Sequence, residues 1–344
     1  MRIPESILLG ISLLWYPMTA PAQTTHGFLL VANKGEQTLS IFDPDSGQQL
    51  ATVPVGGITG HEVAASPDGK TAWVPIYGNS GVGLPGTDGT TISVIDLNTR
   101  KQTASIDLKR PSRPHCAVVN PKDGKLYVTT EITQSLTVID PARSTIVETI
   151  PTGAQESHML AISSDGKRGY TANVGPGTVS AIDLESKKVL TQIAVAKKIQ
   201  RIAISRDDRW VFSADQTKPE LAVIDTQTNT VKTRIPLPST GYGMAPTYDG
   251  KWLVVALPTS DSVAVIDLKT MDLKTADLKT MKVAKTISVP AAPQEILIRP
   301  DDRVAYVSCD QSKQVVAIDL ADFKVTKTFN AGAGADGLAW APQH

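Results

Sequence analysis

Seven copies of a short hydrophobic motif ending in Asp constrain the fold of this 344-residue chain more than any other feature. The copies are Ile41-Phe42-Asp43, Val94-Ile95-Asp96, Val138-Ile139-Asp140, Ala181-Ile182-Asp183, Val223-Ile224-Asp225, Val265-Ile266-Asp267 and Ala317-Ile318-Asp319. Successive Asp residues are 53, 44, 43, 42, 42 and 52 positions apart. A repeat of about 43 residues is typical of folds in which each repeat is one supersecondary unit.

A tight-turn sequence recurs in phase with this motif. It reads Ser-Pro-Asp-Gly-Lys or a close variant, and its copies end at Lys70, Lys125, Lys167, Arg209, Lys251 and Arg303. Alternating strand patterns flank each turn, and no segment has a helical period. The third unit is predicted to hold four strands, at 115–120, 125–130, 136–140 and 146–151. Four short strands in each unit predict an all-β protein, a seven-bladed β-propeller with four-stranded blades.

The two ends of the repeat array predict how the ring closes. Residues 27–33 form a strand with no innermost strand before it, and residues 336–341 form a lone innermost strand. Together they complete one blade, so we expect the last strand to join the first and leave no free sheet edge. Such a closed ring is expected to be a monomer.

The two longest spacings between the repeated Asp residues come from insertions. One is a Gly-rich insertion at 78–89, and the other consists of tandem copies of a five-residue unit within 267–281.

The composition excludes several classes of protein. Hydrophobic residues make up 41% of the chain and charged residues 20%, with 34 basic residues balancing 34 acidic ones. So much apolar sequence and so little net charge are untypical of a disordered chain. A neutral chain also lacks the basic surface that attracts nucleic acid, so we expect no nucleic-acid partner. Cys116 and Cys309 fall at different strand ends of different units and are expected to be buried free thiols.

The N-terminal segment is predicted to be a signal peptide rather than part of the fold. An apolar run at 7–16 is followed by Ala20-Pro21-Ala22, a small-residue motif that places the cleavage between Ala22 and Gln23. A run of about ten residues is too short to span the hydrocarbon core of a membrane, about 30 Å. We therefore expect a signal peptide at 1–22 and a propeller at 23–344, periplasmic or secreted, with no membrane span.

The repeats also carry a family resemblance. The phrases that carry it are Ser66-Pro67-Asp68-Gly69-Lys70, Leu126-Tyr127-Val128-Thr129, Tyr170-Thr171-Ala172-Asn173 and Val223-Ile224-Asp225. In these phrases the chain resembles the YVTN-repeat β-propellers, which implies an exported or surface propeller and no particular activity. The wider superfamily also resembles the propeller parts of lactonases, quinoprotein dehydrogenases and nitrous-oxide reductase, although a shared fold does not transfer chemistry.

Three of the five histidines occupy one position of the repeat. The position begins the innermost strand of each blade, at one mouth of the central channel, and its seven occupants are His61, His115, His158, Gln200, Tyr242, Gln294 and Asp336. The other two histidines, His26 and His344, lie near the ends of the chain. Three consecutive units therefore are expected to direct an imidazole toward the same mouth.

Three converging imidazoles suit a divalent transition metal such as Zn, Cu or Fe, and they leave a fourth position open. Glu131, in a loop of the His115 unit on the same face, is the best candidate for a fourth ligand or catalytic base. Further polar candidates in the equivalent loops are Asn33, Asn173, Asp215 and Asp310. Strand alternation places Glu62 and Cys116 on the opposite face from their neighbouring histidines. The alternative is that the histidines line a wet pore and bond to loop carbonyls.

Three functions are consistent with these observations. The first is an exported binding or scaffold protein that presents a polar channel mouth to a protein or a small-molecule ligand. The second is a metal-dependent enzyme that uses His61, His115 and His158 with Glu131 as acid or base. The third is a lactonase-like hydrolase, which rests on fold analogy alone. The insertion at 78–89 lies on the same face and is either a lid over the site or a flexible surface loop.

Overall fold

The computed structural model describes residues 25–79, 81–268 and 282–343. Within them the chain forms 28 strands in seven four-stranded antiparallel sheets, which confirms the predicted seven-bladed, all-β propeller. The predicted signal peptide and most of the tandem five-residue repeat lie outside the described residues. In the part of the chain that is described, no helix is long and apolar enough to cross a membrane.

The strands follow the predicted order, and the innermost strand comes first in blades 2 to 7. Blade 1 contains β1 (Gly27–Asn33), β2 (Thr38–Phe42) and β3 (Gln49–Pro54). Blade 2 contains β4 (Ala64–Ala65), β5 (Thr71–Gly78), β6 (Asp88–Asp96) and β7 (Lys101–Asp107). Blade 3 contains β8 (Pro114–Val119), β9 (Leu126–Thr130), β10 (Ser135–Asp140) and β11 (Thr145–Pro151). Blade 4 contains β12 (Ser157–Ile162), β13 (Arg168–Asn173), β14 (Thr178–Asp183) and β15 (Lys188–Ala194).

The second half of the ring repeats this pattern. Blade 5 contains β16 (Ala203–Ile204), β17 (Trp210–Ala214), β18 (Glu220–Asp225) and β19 (Thr230–Pro236). Blade 6 contains β20 (Met244–Pro246), β21 (Trp252–Leu257), β22 (Ser262–Asp267) and β23 (Val283–Ser288), with a 3₁₀ turn at Pro258–Ser260. Blade 7 contains β24 (Pro293–Ile298), β25 (Val304–Cys309), β26 (Gln314–Asp319) and β27 (Lys324–Asn330). The last strand, β28 (Ala335–Pro342), pairs with β1 and completes blade 1, as predicted.

The repeated Asp has a local reason. It ends the third strand of blades 2 to 7 and directly follows that strand in blade 1, and in blades 1 to 5 and 7 its carboxylate accepts backbone N–H groups of the turn that leads into the outermost strand. Asp140, for example, accepts from the N–H groups of Ala142 and Arg143. Such Asx turns fix where one strand ends and the next begins. This explains why the motif recurs at nearly constant spacing.

The second turn marker requires a left-handed residue. Gly69, Gly124, Gly166 and Gly250 have φ between 67° and 70° at this position. In the two units without Gly, Asp208 and Asp302 take the position with φ of 57° and 58°. Asp tolerates this conformation better than most residues do, so the same turn forms when Asp replaces Gly.

The core lies between neighbouring blades. Leu136, Leu160 and Ile182, for example, belong to one buried cluster that extends through blades 3, 4 and 5. Both cysteines are buried and free, as predicted. This packing holds the innermost strands side by side around the channel, so the residues that begin them meet at one mouth.

Candidate functional site

The structure brings His61, His115 and His158 together at the channel mouth. The ring centroids of His61 and His115 are 5.2 Å apart, and those of His115 and His158 are 3.5 Å apart. The side chain of His61 is 25% exposed, whereas His115 and His158 are buried. One imidazole therefore faces solvent and two lie behind it.

The ring nitrogens of these histidines differ in their partners. His61 Nδ1 lies 3.4 Å from Asp336 Oδ2, which leaves Nε2 directed away from that carboxylate. His158 Nε2 lies 3.2 Å from Gln200 Nε2. The Nδ1 atoms of His115 and His158 are buried and have no hydrogen-bond partner among the described residues. Burial and nearby positive charge lower the pKa of both buried rings well below the ordinary value, so both are neutral at pH 7.

Tyr77, at the end of β5, lies among the three histidines. Its ring centroid is 5.2 Å from that of His61, 5.4 Å from that of His115 and 6.0 Å from that of His158. Its hydroxyl donates to Glu131 Oε2. Burial and the neighbouring carboxylate raise the pKa of Tyr77, so the phenol keeps its proton. Tyr77 thus packs the imidazoles in place and orients Glu131.

Glu131 lies at the site, but its carboxylate already accepts three hydrogen bonds. The donors are the Tyr77 hydroxyl, Arg113 Nη1 at 3.1 Å and the backbone N–H of Gly83 at 3.1 Å. Oε2 is 4.0 Å from His158 Nδ1. In this arrangement Glu131 supports the site rather than offering a free base, and its predicted catalytic role stays a prediction.

Beneath the histidines, Arg201 crosses the channel. Its Nη1 contacts Glu62 Oε1 and lies 2.7 Å from Glu295 Oε2, and its Nη2 lies 2.9 Å from Asp336 Oδ1. The three carboxylates belong to blades 2, 7 and 1, while Arg201 precedes the innermost strand of blade 5. Its guanidinium also lies over the ring of Tyr242, 4.8 Å from the centroid. One buried cation therefore joins opposite sides of the ring.

The expectation that Glu62 faces away from the channel was wrong. Strand alternation does not apply to Glu62 because Glu62 precedes β4 and so is not part of a regular strand. The innermost strands of blades 3 and 4 are also irregular at this point, since their pairing register shifts at the start of each strand. Such irregularities let two consecutive residues face the same side. The position after the histidine register therefore forms a second, deeper layer, which includes Glu62, Arg201 and Glu295.

The other polar candidates have structural partners. Asn33 bonds to Thr38 and Ser40, and Asn173 bonds to Thr178 and Ser180, so both amides tie strand ends together. Asp215 accepts from the N–H of Thr217. Asp310 is nearer the mouth, where Lys34 Nζ lies 2.8 Å from Asp310 and 3.1 Å from Asp336.

Sequence reasoning missed Tyr77, Arg113 and Arg201 as residues of the site. For Arg201 a signal existed, because a charged residue recurs directly after the histidine register in three units, as Glu62, Arg201 and Glu295. Charges at positions expected to be buried on a strand are rare unless they are paired. No comparable signal marked Tyr77 or Arg113, because both reach the site through contacts with residues of neighbouring blades.

The donor set suits a metal, but its geometry is not yet that of a metal centre. No group of three His, Cys, Asp or Glu side chains in the described residues is arranged to hold a metal ion. Two imidazoles on one tetrahedral zinc have ring centroids about 5 Å apart. The pair His61 and His115 meets that spacing, whereas His115 and His158 would have to separate from 3.5 Å.

The fold and this mouth define a seven-bladed β-propeller with a histidine-lined channel. The YNCE-like β-propeller family matches residues 63–276, more than half of the chain, and the protein belongs to that family. No curated protein matches the sequence.

Solved structures share the fold at low sequence identity. Hydrazine synthase of Kuenenia stuttgartiensis is similar with a TM-score of 0.73 at 18% identity, covering 91% of this chain and 99% of that one. A functionally unknown protein of Desulfotomaculum acetoxidans has a TM-score of 0.73 at 14% identity, covering 92% and 100%. The periplasmic gluconolactonase of Pseudomonas aeruginosa has a TM-score of 0.71 at 16% identity, covering 92% and 99%. Likeness at this identity shows the fold alone.

Buried charge in the channel predicts a pH-dependent stability. Burial raises the pKa of Glu62 from 4.5 to about 8, against the attraction of Arg201 and with repulsion from Glu295 and Asp336. A carboxyl group whose pKa is raised in the folded state contributes to the free energy of unfolding. This contribution is fully present below pH 4.5 and is lost as the pH rises through 8. The lowered pKa values of His115 and His158 make stability rise with pH instead, but only below pH 6.5. Stability should therefore fall by about 2 kcal/mol between pH 6.5 and 8.

Urea unfolding in EDTA at pH 6.5 and at pH 8 measures this loss in the free energy of unfolding. The variant Glu62→Gln should lack most of this loss, whereas Glu185→Gln, at an exposed ion pair, should keep it. An unchanged pH slope in Glu62→Gln would show that Glu62 is ionised throughout this range.

Proposed function

We propose that this protein is an exported binding protein whose ligand binds at the channel mouth. One observation supports it most: side chains from five blades meet there, and two buried imidazoles present Nδ1 atoms with no partner among the described residues. Buried polar atoms are nearly always hydrogen-bonded, so two such atoms on neighbouring rings mark a place for an external group. Export rests on the predicted signal peptide, and a monomeric state rests on the closed ring.

The ligand that this donor set fits best is a divalent transition metal, Zn, Cu or Fe. Both buried imidazoles are neutral, as metal ligands must be. Asp336 supports His61 at Nδ1, the arrangement in which a carboxylate orients a metal-binding imidazole and leaves Nε2 for the metal. A protein or a small organic molecule at the same mouth is the alternative ligand.

Metal content tests this proposal. The protein comprising residues 23–344 should carry close to one equivalent of metal by mass spectrometry after loading with Zn²⁺, Cu²⁺ or Fe²⁺. The triple variant His61→Ala, His115→Ala, His158→Ala should lose it, and so should His61→Ala alone, which removes only the partly exposed ring. Asp336→Asn should weaken Zn²⁺ binding by about 10–100-fold.

The matched control is His26→Ala, because His26 also lies near an Asp, at 3.8 Å from Asp45, but is exposed and away from the mouth. Its metal content should equal that of the parent. Failure of the folded parent protein to retain any of the three metals would exclude a metal ligand and direct the search to protein and small-molecule partners.

A second candidate is an enzyme at the same mouth. The specific observation is the pair His61 and Asp336, in which a buried carboxylate orients a partly exposed imidazole, as a general base requires. The gluconolactonase among the similar structures makes lactone hydrolysis the reaction to assay. Hydrolysis of D-glucono-1,5-lactone that needs Zn²⁺ and His115 would support the metal-dependent enzyme. Hydrolysis in EDTA that is lost in His61→Ala would support a lactonase-like hydrolase, and no hydrolysis would leave the binding protein.

A further inference from the structure

The seven equivalent positions at the channel mouth differ in exposure. Four are partly exposed and three are buried, and the buried ones are His115, His158 and Asp336. Asp336 is enclosed by its contacts with Lys34, His61 and Arg201. Among the described residues, His115 has no ion pair and His158 has only the 4.0 Å approach of Glu131 Oε2, so ion pairing does not explain their burial. They lie on the side of the mouth toward which the insertion of blade 2 extends.

That insertion, residues 81–87 between β5 and β6, is here named the cover segment. Its Gly83 N–H donates to Glu131 Oε1 in blade 3 at 3.1 Å. Gly83 also lies against Glu156, just before β12 of blade 4, because a Cβ on Gly83 would be 2.5 Å from Glu156 Oε1. Gly83 has φ of 69°, so both its conformation and its neighbour favour glycine. The cover segment thus spans from blade 2 to the residues beside His115 and His158.

One side chain holds the cover segment in this position. Arg113, which directly precedes β8, is buried and donates through Nη2 to Leu84 O at 2.6 Å and through Nη1 to Gly81 O at 3.5 Å. The same guanidinium donates through Nε to Asp88 at 2.6 Å and through Nη1 to Glu131 at 3.1 Å. Arg113 therefore links both sides of the cover segment, the strand that follows it and the carboxylate of the site.

We propose that residues 81–87 are a removable cover over His115 and His158, and that Arg113 is the residue that holds it closed. Opening exposes both imidazoles. It also removes the Gly83 hydrogen bond from Oε1 of Glu131, the carboxylate beside His158. Two neutral imidazoles beside the Glu131 carboxylate favour a cationic ligand. This choice of ligand rests on the proposed function, whereas the cover itself does not.

The cover is tested without any ligand by the reactivity of the histidines. Diethyl pyrocarbonate acylates accessible unprotonated imidazoles, and mass spectrometry measures the rate at each histidine. In the parent protein His26 and His61 should react quickly and His115 and His158 slowly. In Arg113→Met, His115 and His158 should react about tenfold faster or more, because hydrogen bonds from a charged donor are lost.

Two further variants separate opening from unfolding. A chain lacking residues 81–86 removes the cover without removing a buried charge, and it should expose His115 and His158 equally. The control is Arg110→Met, because Arg110 is exposed and lies in the same loop as Arg113. In this variant His115 and His158 should react as slowly as in the parent. Circular dichroism should show that all variants are folded. Slow, parent-like reaction of both histidines in the folded deletion variant and in Arg113→Met would overturn the proposal.

Adding Zn²⁺ separates this inference from the proposed function. If both hold, Zn²⁺ protects His61, His115 and His158 from acylation in Arg113→Met and leaves His26 unaffected. Fast reaction without Zn²⁺ and no protection with it would keep the cover and reject the metal ligand.

Discussion

A chain that ends before β28 is expected not to fold. Blade 1 would lose its innermost strand, and β1, which is almost wholly buried, would present an unpaired edge from Gly27 to Asn33. The apolar side chains of Leu338, Ala339 and Ala341 would also leave two core clusters, and the ring would open. The combined loss exceeds the total stability of an ordinary domain, about 5–15 kcal/mol. Circular dichroism and size-exclusion chromatography should show an unfolded or aggregated chain.

A circular permutant provides the matched control. Pro342 pairs with Gly27, so a short linker can join the end of β28 to the start of β1. New termini between β27 and β28, within 331–334, keep every blade complete. This permutant should fold with a stability close to that of the parent. A truncated chain that folds as well as the permutant would show that the ring does not need its closing strand.

The second large effect is expected from Arg201→Met. The substitution keeps the length of the side chain but removes the guanidinium, so the Asp336 carboxylate stays buried without this cation, and Glu62 and Glu295 lose its hydrogen bonds. Removing one partner of a buried ion pair costs about 3–5 kcal/mol, because the remaining charge is uncompensated. Urea unfolding at pH 7 should show a loss of this size.

Two comparisons test the cause of that loss. Arg143→Met removes an ion pair whose arginine is largely exposed, so it should cost about 0–1 kcal/mol. Adding Asp336→Asn to Arg201→Met should recover part of the lost stability, because an amide is cheaper to bury than the carboxylate that Arg201 no longer pairs. No recovery would mean that Arg201 acts through packing on Tyr242 and Met159 rather than through its charge.

Much of the fold was predictable because its signals are local. In blade 3 the predicted strands at 115–120 and 146–151 are Pro114–Val119 and Thr145–Pro151 in the structure. Asp140 fixes one of these boundaries through its own turn, and Gly124 fixes another through its left-handed conformation. Such turns depend on a few neighbouring residues, so a single sequence is enough to locate them.

The candidate site was predictable only in its outer layer. The repeat register placed His61, His115 and His158 at one mouth, because equivalent positions in a closed ring face the same channel. It could not place Glu62, because an irregular strand start breaks the alternation on which that expectation rested. Nor could it find Tyr77 or Arg113, which reach the site through contacts with other blades.

The seven blades, the closing strand and the register of the histidines were therefore predictable without the structure, since each depends on a repeated local pattern. The tertiary structure alone decided which imidazoles are buried, that Arg201 joins carboxylates of three other blades, and that the insertion of blade 2 lies against Glu131 of blade 3. These features depend on contacts between residues far apart in the chain. Their distances are set only when the ring has closed and the blades have packed against one another.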